Sequence, residues 1–134
     1  MACAIPHSMK AKTLDDVLVH KKSLEGADAV SALLERPAFR RDFEIKDQLL
    51  RSSGRTAALI AEGFGQLTDR HTASYYANAR GSALETNAHL RVAQGRQYIS
   101  DEERLAIAGI YDEIVRMLTS WINYLDKSDW RKRS

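Results

Sequence analysis

The stretch Ala58–Asp69, ALIAEGFGQLTD, decides the fold, because two glycines one residue apart behind an apolar run either cradle a ligand or end a helix. Phosphate-cradling glycine loops follow a strand and open a helix, whose first amides then point at the anion. Here the glycines close a helical pattern, with neither a Lys-Ser/Thr pair nor a third glycine. The stretch reads as a helix terminus, with Gly63 or Gly65 expected in the left-handed conformation that closes it. Thr68 is then the cap of the next helix and Asp69 its first-turn carboxylate.

Working upstream, helix two extends from about Phe43 to Phe64, with Phe43, Leu49, Leu50, Ala57, Ile60 and Ala61 inward. Arg51 and Arg55 form an i,i+4 pair on another side. Gly54 weakens this helix by about 1 kcal/mol or lets a neighbour approach closely. Helix one is expected from an N-cap at Thr13, with Asp15 and Asp16 in its first turn. Its apolar face is Leu14, Val17, Leu18, Lys21, Leu24, Ala27, Val30 and Leu34, and Pro37 breaks it. Downstream, helix three spans roughly Asp69 to Gln94, carries Ala73, Tyr76, Ala77, Leu84, Ala88 and Leu90, and is closed by Gly95. The capping box Ser100–Glu103 opens helix four, which runs to about Asp126. Four amphipathic helices with short connections predict an all-α, antiparallel up-down four-helix bundle over residues 13–126. A flexible leader, residues 1–12, precedes it and a basic tail, residues 127–134, follows.

The composition agrees. Seven glycines and two prolines are few for a turn-rich β protein. A net charge of +2, from 20 basic and 18 acidic residues, puts any nucleic-acid role in local patches. The single cysteine, Cys3, has no intramolecular partner, as is usual in a reducing cytosol. No apolar run reaches the length of a membrane span and the first residues lack a signal pattern, so a cytoplasmic protein without membrane association is expected.

Candidate chemistry is sparse. Glu62 is either solvated at the helix end or paired with Arg80 on helix three. A buried pair of that kind would cost about 3–5 kcal/mol to break by Arg80→Ala. Glu85 and His89 stand at i,i+4, but there is no Glu-x-x-His, and His7, His20 and His71 show no metal spacing, so neither metal nor cofactor is expected. Ser52, Ser53 and Ser82 have no supporting triad pattern. The basic residues Arg40 and Arg41, and Lys127, Arg131, Lys132 and Arg133 around Trp130, either contact phosphates or simply solvate the surface. Helix four is apolar over more circumference than one seam needs, which offers Tyr111, Trp121 and Ile122 as oligomer contacts.

Gln48, Leu49 and Arg51, then Ile60, Ala61, Glu62, Gly63 and Gly65, then Ala79, Arg80, Gly81, Ser82 and Glu85 form a series of motifs. In order and spacing these resemble the four-helix-bundle family encoded in intervening sequences of bacterial 23S ribosomal RNA genes, over roughly residues 14–126. Arg55, Thr56, Ala57, Ala58 and Leu59 replace that family's Ser-Ile-Pro-x-Asn, and Gln66 stands where a basic residue is common. The resemblance implies a non-enzymatic, ring-shaped homopentamer. It is also similar in fold to the accessory protein of diversity-generating retroelements, which implies association with nucleic acid or with an enzyme such as a reverse transcriptase. On this reading Glu62, Arg80, Gly81 and Glu85 are an architectural network between helices two and three. The alternative is a protein-interaction module with no nucleic-acid role.

Overall fold

The computed structural model describes residues 13, 14 and 17–133, with side chains as far as Lys127. The leader, with Cys3 and His7, and the first-turn candidates Asp15 and Asp16 lie outside the described residues. Regular structure among the described residues is helical: α1 (Leu18–Leu33), a 3-10 turn (Pro37–Arg41), α2 (Phe43–Phe64), α3 (Asp69–Gly95) and α4 (Asp101–Arg133). The break expected after Asp126 is absent, and α4 continues through the segment expected as a tail.

Each helix packs on its neighbours in sequence, and α1 on α4 closes the ring. Cross-helix pairs give the direction. Thr72 meets Gly63, Thr86 meets Ser52, and Arg96 meets Asp42, so α2 and α3 run oppositely. Arg80 with Thr119, Asn87 with Asp112 and Gln94 with Asp101 do the same for α3 and α4. Lys22 with Glu113 and Arg36 with Glu103 complete the pattern for α1 and α4. The fold is an up-down four-helix bundle with antiparallel neighbours.

Local capping explains most boundaries. Thr68 Oγ1 accepts from the His71 amide at 3.2 Å. The Ser100 amide donates to Glu103 Oε1 at 2.8 Å and the Glu103 amide returns to Ser100 Oγ at 3.2 Å, a reciprocal capping box. Thr13 does not cap α1, which starts at Leu18 after an extended Val17. Burial of Val17 and Val19, at 1% and 0% exposure, anchors that start instead. At the end of α3 the left-handed residue is Gln97, φ 66°, and not Gly95. The Gln97 amide donates to the Gln94 carbonyl at 2.8 Å and the Tyr98 amide to that of Ala93 at 3.0 Å, which closes the helix as a Schellman pair.

The glycines of the opening stretch act differently from expectation. Gly65, beyond the end of α2, has φ −82°, and no described glycine has positive φ. Gly63 lies inside α2, and its role is steric: a Cβ there would stand 2.8 Å from Tyr75 Cβ and 2.9 Å from the Tyr76 ring. Helix α3 can therefore lie against the α2 backbone, where Thr72 Oγ1 donates to the Gly63 carbonyl at 2.8 Å. Gly54 and Gly81 admit no such approach, since an added Cβ would meet nothing within 4 Å.

The buried face of α1 is Val19, Ser23, Gly26, Val30 and Leu33, whereas Leu18 and Leu24 are about half exposed. Gly26 sets this phase, because the Tyr111 ring of α4 occupies the space its side chain would fill, 2.8 Å from an ideal Cβ. Much of the wide apolar circumference of α4 packs on two partners, α1 and α3, while Leu105 stays exposed. Tyr76 meets Trp121 edge-on at 6.0 Å, and burial pushes its phenol pKa up to about 12.

Asp42 ties the connection between α1 and α2 to the one between α3 and α4. One oxygen caps the Ile45 amide at 3.3 Å; the other accepts from the Tyr98 hydroxyl at 2.7 Å and Arg96 Nη1 at 2.6 Å. The Tyr98 hydrogen bond, ahead of the Arg96 charge, holds the carboxyl below its ordinary value of 3.8. A depressed carboxyl stabilises the fold above its unfolded pKa, and that contribution is lost as pH falls through the folded one. Urea midpoints are accordingly expected to drop as the pH falls below about 4, and Asp42→Asn to flatten that acid limb. An unchanged limb in the variant would remove Asp42 as its source.

Candidate functional site

A polar groove of about 440 Å³ opens between α2 and α3, lined by Gln48, Arg51, Ser52, Arg55 and Glu85. Its walls follow from helical periodicity: Gln48, Arg51 and Arg55 recur at spacings of three and four, so α2 presents them on one face beside its buried face. Glu85 comes from α3, one residue before the buried Thr86. Beneath lies a seam of small hydroxyl residues, Ser52, Ser53, Thr56, Ser82 and Thr86, all buried. Ser53 Oγ donates to the Leu49 carbonyl at 2.7 Å and Thr56 Oγ1 to that of Ser52 at 2.9 Å. Thr86 has one proton and lies 2.9 Å from the Ser82 carbonyl and 2.8 Å from Ser52 Oγ. A carbonyl can only accept, so Thr86 donates to it and the Ser52 hydroxyl donates to Thr86. These hydroxyls pack the helices together and leave no activated nucleophile.

The charges on the groove are held along their own helices. Arg51 pairs with Asp47 at 3.4 Å and Glu85 with His89 at 3.2 Å. The sequence motifs singled out Gln48, Arg51 and Glu85 separately; the fold brings them to one place.

The expected network of Glu62, Arg80, Gly81 and Glu85 does not form. Glu62 is exposed and has no ion-pair partner among the described residues, because its side chain lies on the solvent side of α2. Arg80 turns to the other neighbour, its Nε donating to Thr119 Oγ1 on α4 at 2.8 Å. Gly81 is exposed and Glu85 belongs to the groove. Arg80→Ala is therefore expected to cost about 1.5 kcal/mol, one part-buried hydrogen bond from a charged donor, as read by urea denaturation. A loss above about 3 kcal/mol would restore the buried ion pair.

Of the oligomer candidates, Tyr111 and Trp121 are core residues at 0% and 7% exposure, so both are used within the protomer. Ile122 is half-buried beside Ala77, Arg80, Thr119 and Asn123. An exposed uncharged stripe lies instead on α3, at Ala77, Gly81, Leu84, Ala88 and Val92. Its spacings of three and four are visible in the sequence, but there Ala77, Leu84 and Ala88 stand in one apolar set with Ala73, Tyr76 and Leu90, which are buried. Arg40, Arg41 and Lys127 are exposed, whereas the side chains of Trp130, Arg131, Lys132 and Arg133 lie outside the described residues. Among the described residues no group of three His, Cys, Asp or Glu side chains is placed to hold a metal ion. No described helix is long and apolar enough to cross a membrane.

The profile of the 23S rRNA-intervening sequence protein family matches residues 15–120. The chain is also similar to a crystal structure of a protein with unknown function from the S23 ribosomal protein family of Bacteroides thetaiotaomicron. The TM-score is 0.73 and the identity 27%, over 78% of this chain and 98% of that one. No functionally curated protein matches the chain.

Proposed function

The chain belongs to the 23S rRNA-intervening sequence protein family, and from that premise we propose that it is a non-enzymatic, cytoplasmic helical bundle that binds structured RNA. It does so as a homo-oligomer, a pentamer, or in that form scaffolds an RNA-associated enzyme such as a reverse transcriptase. The observation that carries this reading is the groove between α2 and α3, where Arg51 and Arg55 stand side by side over polar walls. Guanidinium groups spaced one helical turn apart suit successive phosphates, and Arg binds phosphate bidentately. The uncharged stripe on α3 supports self-association, which would repeat the groove around the assembly and multiply a weak contact. Arg40, Arg41 and the basic residues from Lys127 onward would add cations to it.

The test is fluorescence anisotropy of the full chain against a structured ribosomal RNA fragment and a matched DNA duplex, over a salt series. RNA-preferring, salt-sensitive binding is expected. Arg51→Ala with Arg55→Ala should lower the log–log salt slope by roughly 0.7–0.9 for each phosphate that is no longer neutralised. No binding at low salt would sink the RNA reading. The stripe on α3 would then favour a protein-interaction module, whose apolar docking survives salt.

A further inference from the structure

Arg51 and Arg55 face Glu85 across the groove between α2 and α3, yet no ion pair closes it. Arg51 and Glu85 are each tied only to a residue one turn away on their own helix, the first pair solvent-exposed and weak, the second a single contact from half-exposed Glu85 to His89. Arg55 has no carboxylate within ion-pair distance among the described residues. A ligand entering the groove thus meets two guanidinium groups and, one turn before Arg51 on the same wall, the Gln48 amide, with a carboxylate on the other wall. The Ser52 hydroxyl below is already committed to Thr86.

This set of partners is selective. A carboxylate only accepts, and its two oxygens suit two adjacent donors. Of the four RNA bases, guanine alone carries two adjacent donors, N1–H and the N2 amino group, with an acceptor, O6, beside them on its Watson–Crick edge. In a helix that edge is occupied, but unpaired bases in loops and bulges expose it. The volume, about 440 Å³, accommodates a single nucleotide.

We propose that this groove holds one unpaired guanosine of an RNA. Glu85 accepts from N1–H and N2–H, Gln48 donates to O6, and Arg51 and Arg55 hold the flanking phosphates. The inference rests on the RNA-binding reading and adds the base to it. A free guanine nucleotide offers the same groups, and the experiment separates the two sources.

The full chain is titrated by anisotropy into a hairpin RNA whose single unpaired loop nucleotide is guanosine, inosine or adenosine, with guanosine monophosphate as competitor. The guanosine hairpin is expected to bind about tenfold tighter than the adenosine one, the discrimination a bidentate contact supplies, and several-fold tighter than inosine, which lacks the N2 amino group. Glu85→Gln should collapse both preferences, and Gln48→Ala should narrow the gap between guanosine and adenosine while leaving that between guanosine and inosine, each with the salt slope unchanged. Salt-sensitive binding of all three RNAs with equal affinity overturns the inference and leaves the RNA reading standing. Equal affinities together with displacement by guanosine monophosphate would assign the groove to a free nucleotide instead. Absence of RNA binding at low salt overturns both.

Discussion

Replacing Tyr111 with alanine is expected to lower the unfolding free energy by about 3–5 kcal/mol, the cost of emptying a large aromatic site. The ring is fully buried and its edge lies on the α1 backbone at Gly26, so α1 and α4 share one contact surface through it. Collapse into the void is limited, because the core that Tyr111 shares with Val30, Ile114 and Leu118 is itself fully buried. Tyr111→Phe should behave oppositely. The phenolic hydroxyl is buried and makes no hydrogen bond of good geometry; Ser53, which approaches it, gives its own proton to the Leu49 carbonyl. Burial also drives the phenol pKa up, against a smaller opposing effect of the Ser53 hydroxyl. Removing that oxygen relieves a desolvation cost, so stability should stay level or rise by about 1 kcal/mol. Chemical denaturation of both variants reads the pair. A large loss in the phenylalanine variant would mean that the hydroxyl does have a partner in solution.

Gly63→Ala should destabilise the bundle by about 2–3 kcal/mol, although alanine is the better helix former by about 1 kcal/mol. The added Cβ would meet Tyr75 Cβ at 2.8 Å, and a Cβ cannot rotate away as the end of a flexible side chain can. The Tyr76 ring, 2.9 Å away, is fixed in turn by its edge contact with Trp121. Helices α2 and α3 must therefore separate at that end. Gly54→Ala supplies the control, since nothing lies within 4 Å of its added methyl group and the propensity gain should appear undiminished. If Gly63→Ala were as stabilising as Gly54→Ala, the steric account of the opening stretch would be wrong.

The ends of the helices are legible in the sequence because the signals that set them are local. Thr68, Ser100 with Glu103, and Pro37 act within one turn of their own position, and the structure uses all three where the sequence puts them. The phase of α1 is not legible. Its leucines suggest one face, but the face that packs contains Ser23 and Gly26, whose small size matters only once Tyr111 is opposite. For the same reason the sequence alone puts Arg80 against the wrong neighbour: the circumference of a helix does not say which of two adjacent helices lies on which side. Its partner, Thr119, is thirty-nine residues away.

What the sequence determined by itself is the helical class, the number of helices and most of their ends, because periodicity and capping are interactions between residues a few positions apart. Only the tertiary structure decided that Gly63 serves close packing and that the broad apolar face of α4 is shared between α1 and α3. It also decided that Gln48, Arg51 and Arg55 meet Glu85 in one groove. These depend on the distance between side chains carried by different helices, and that distance is set by how small residues let two backbones approach.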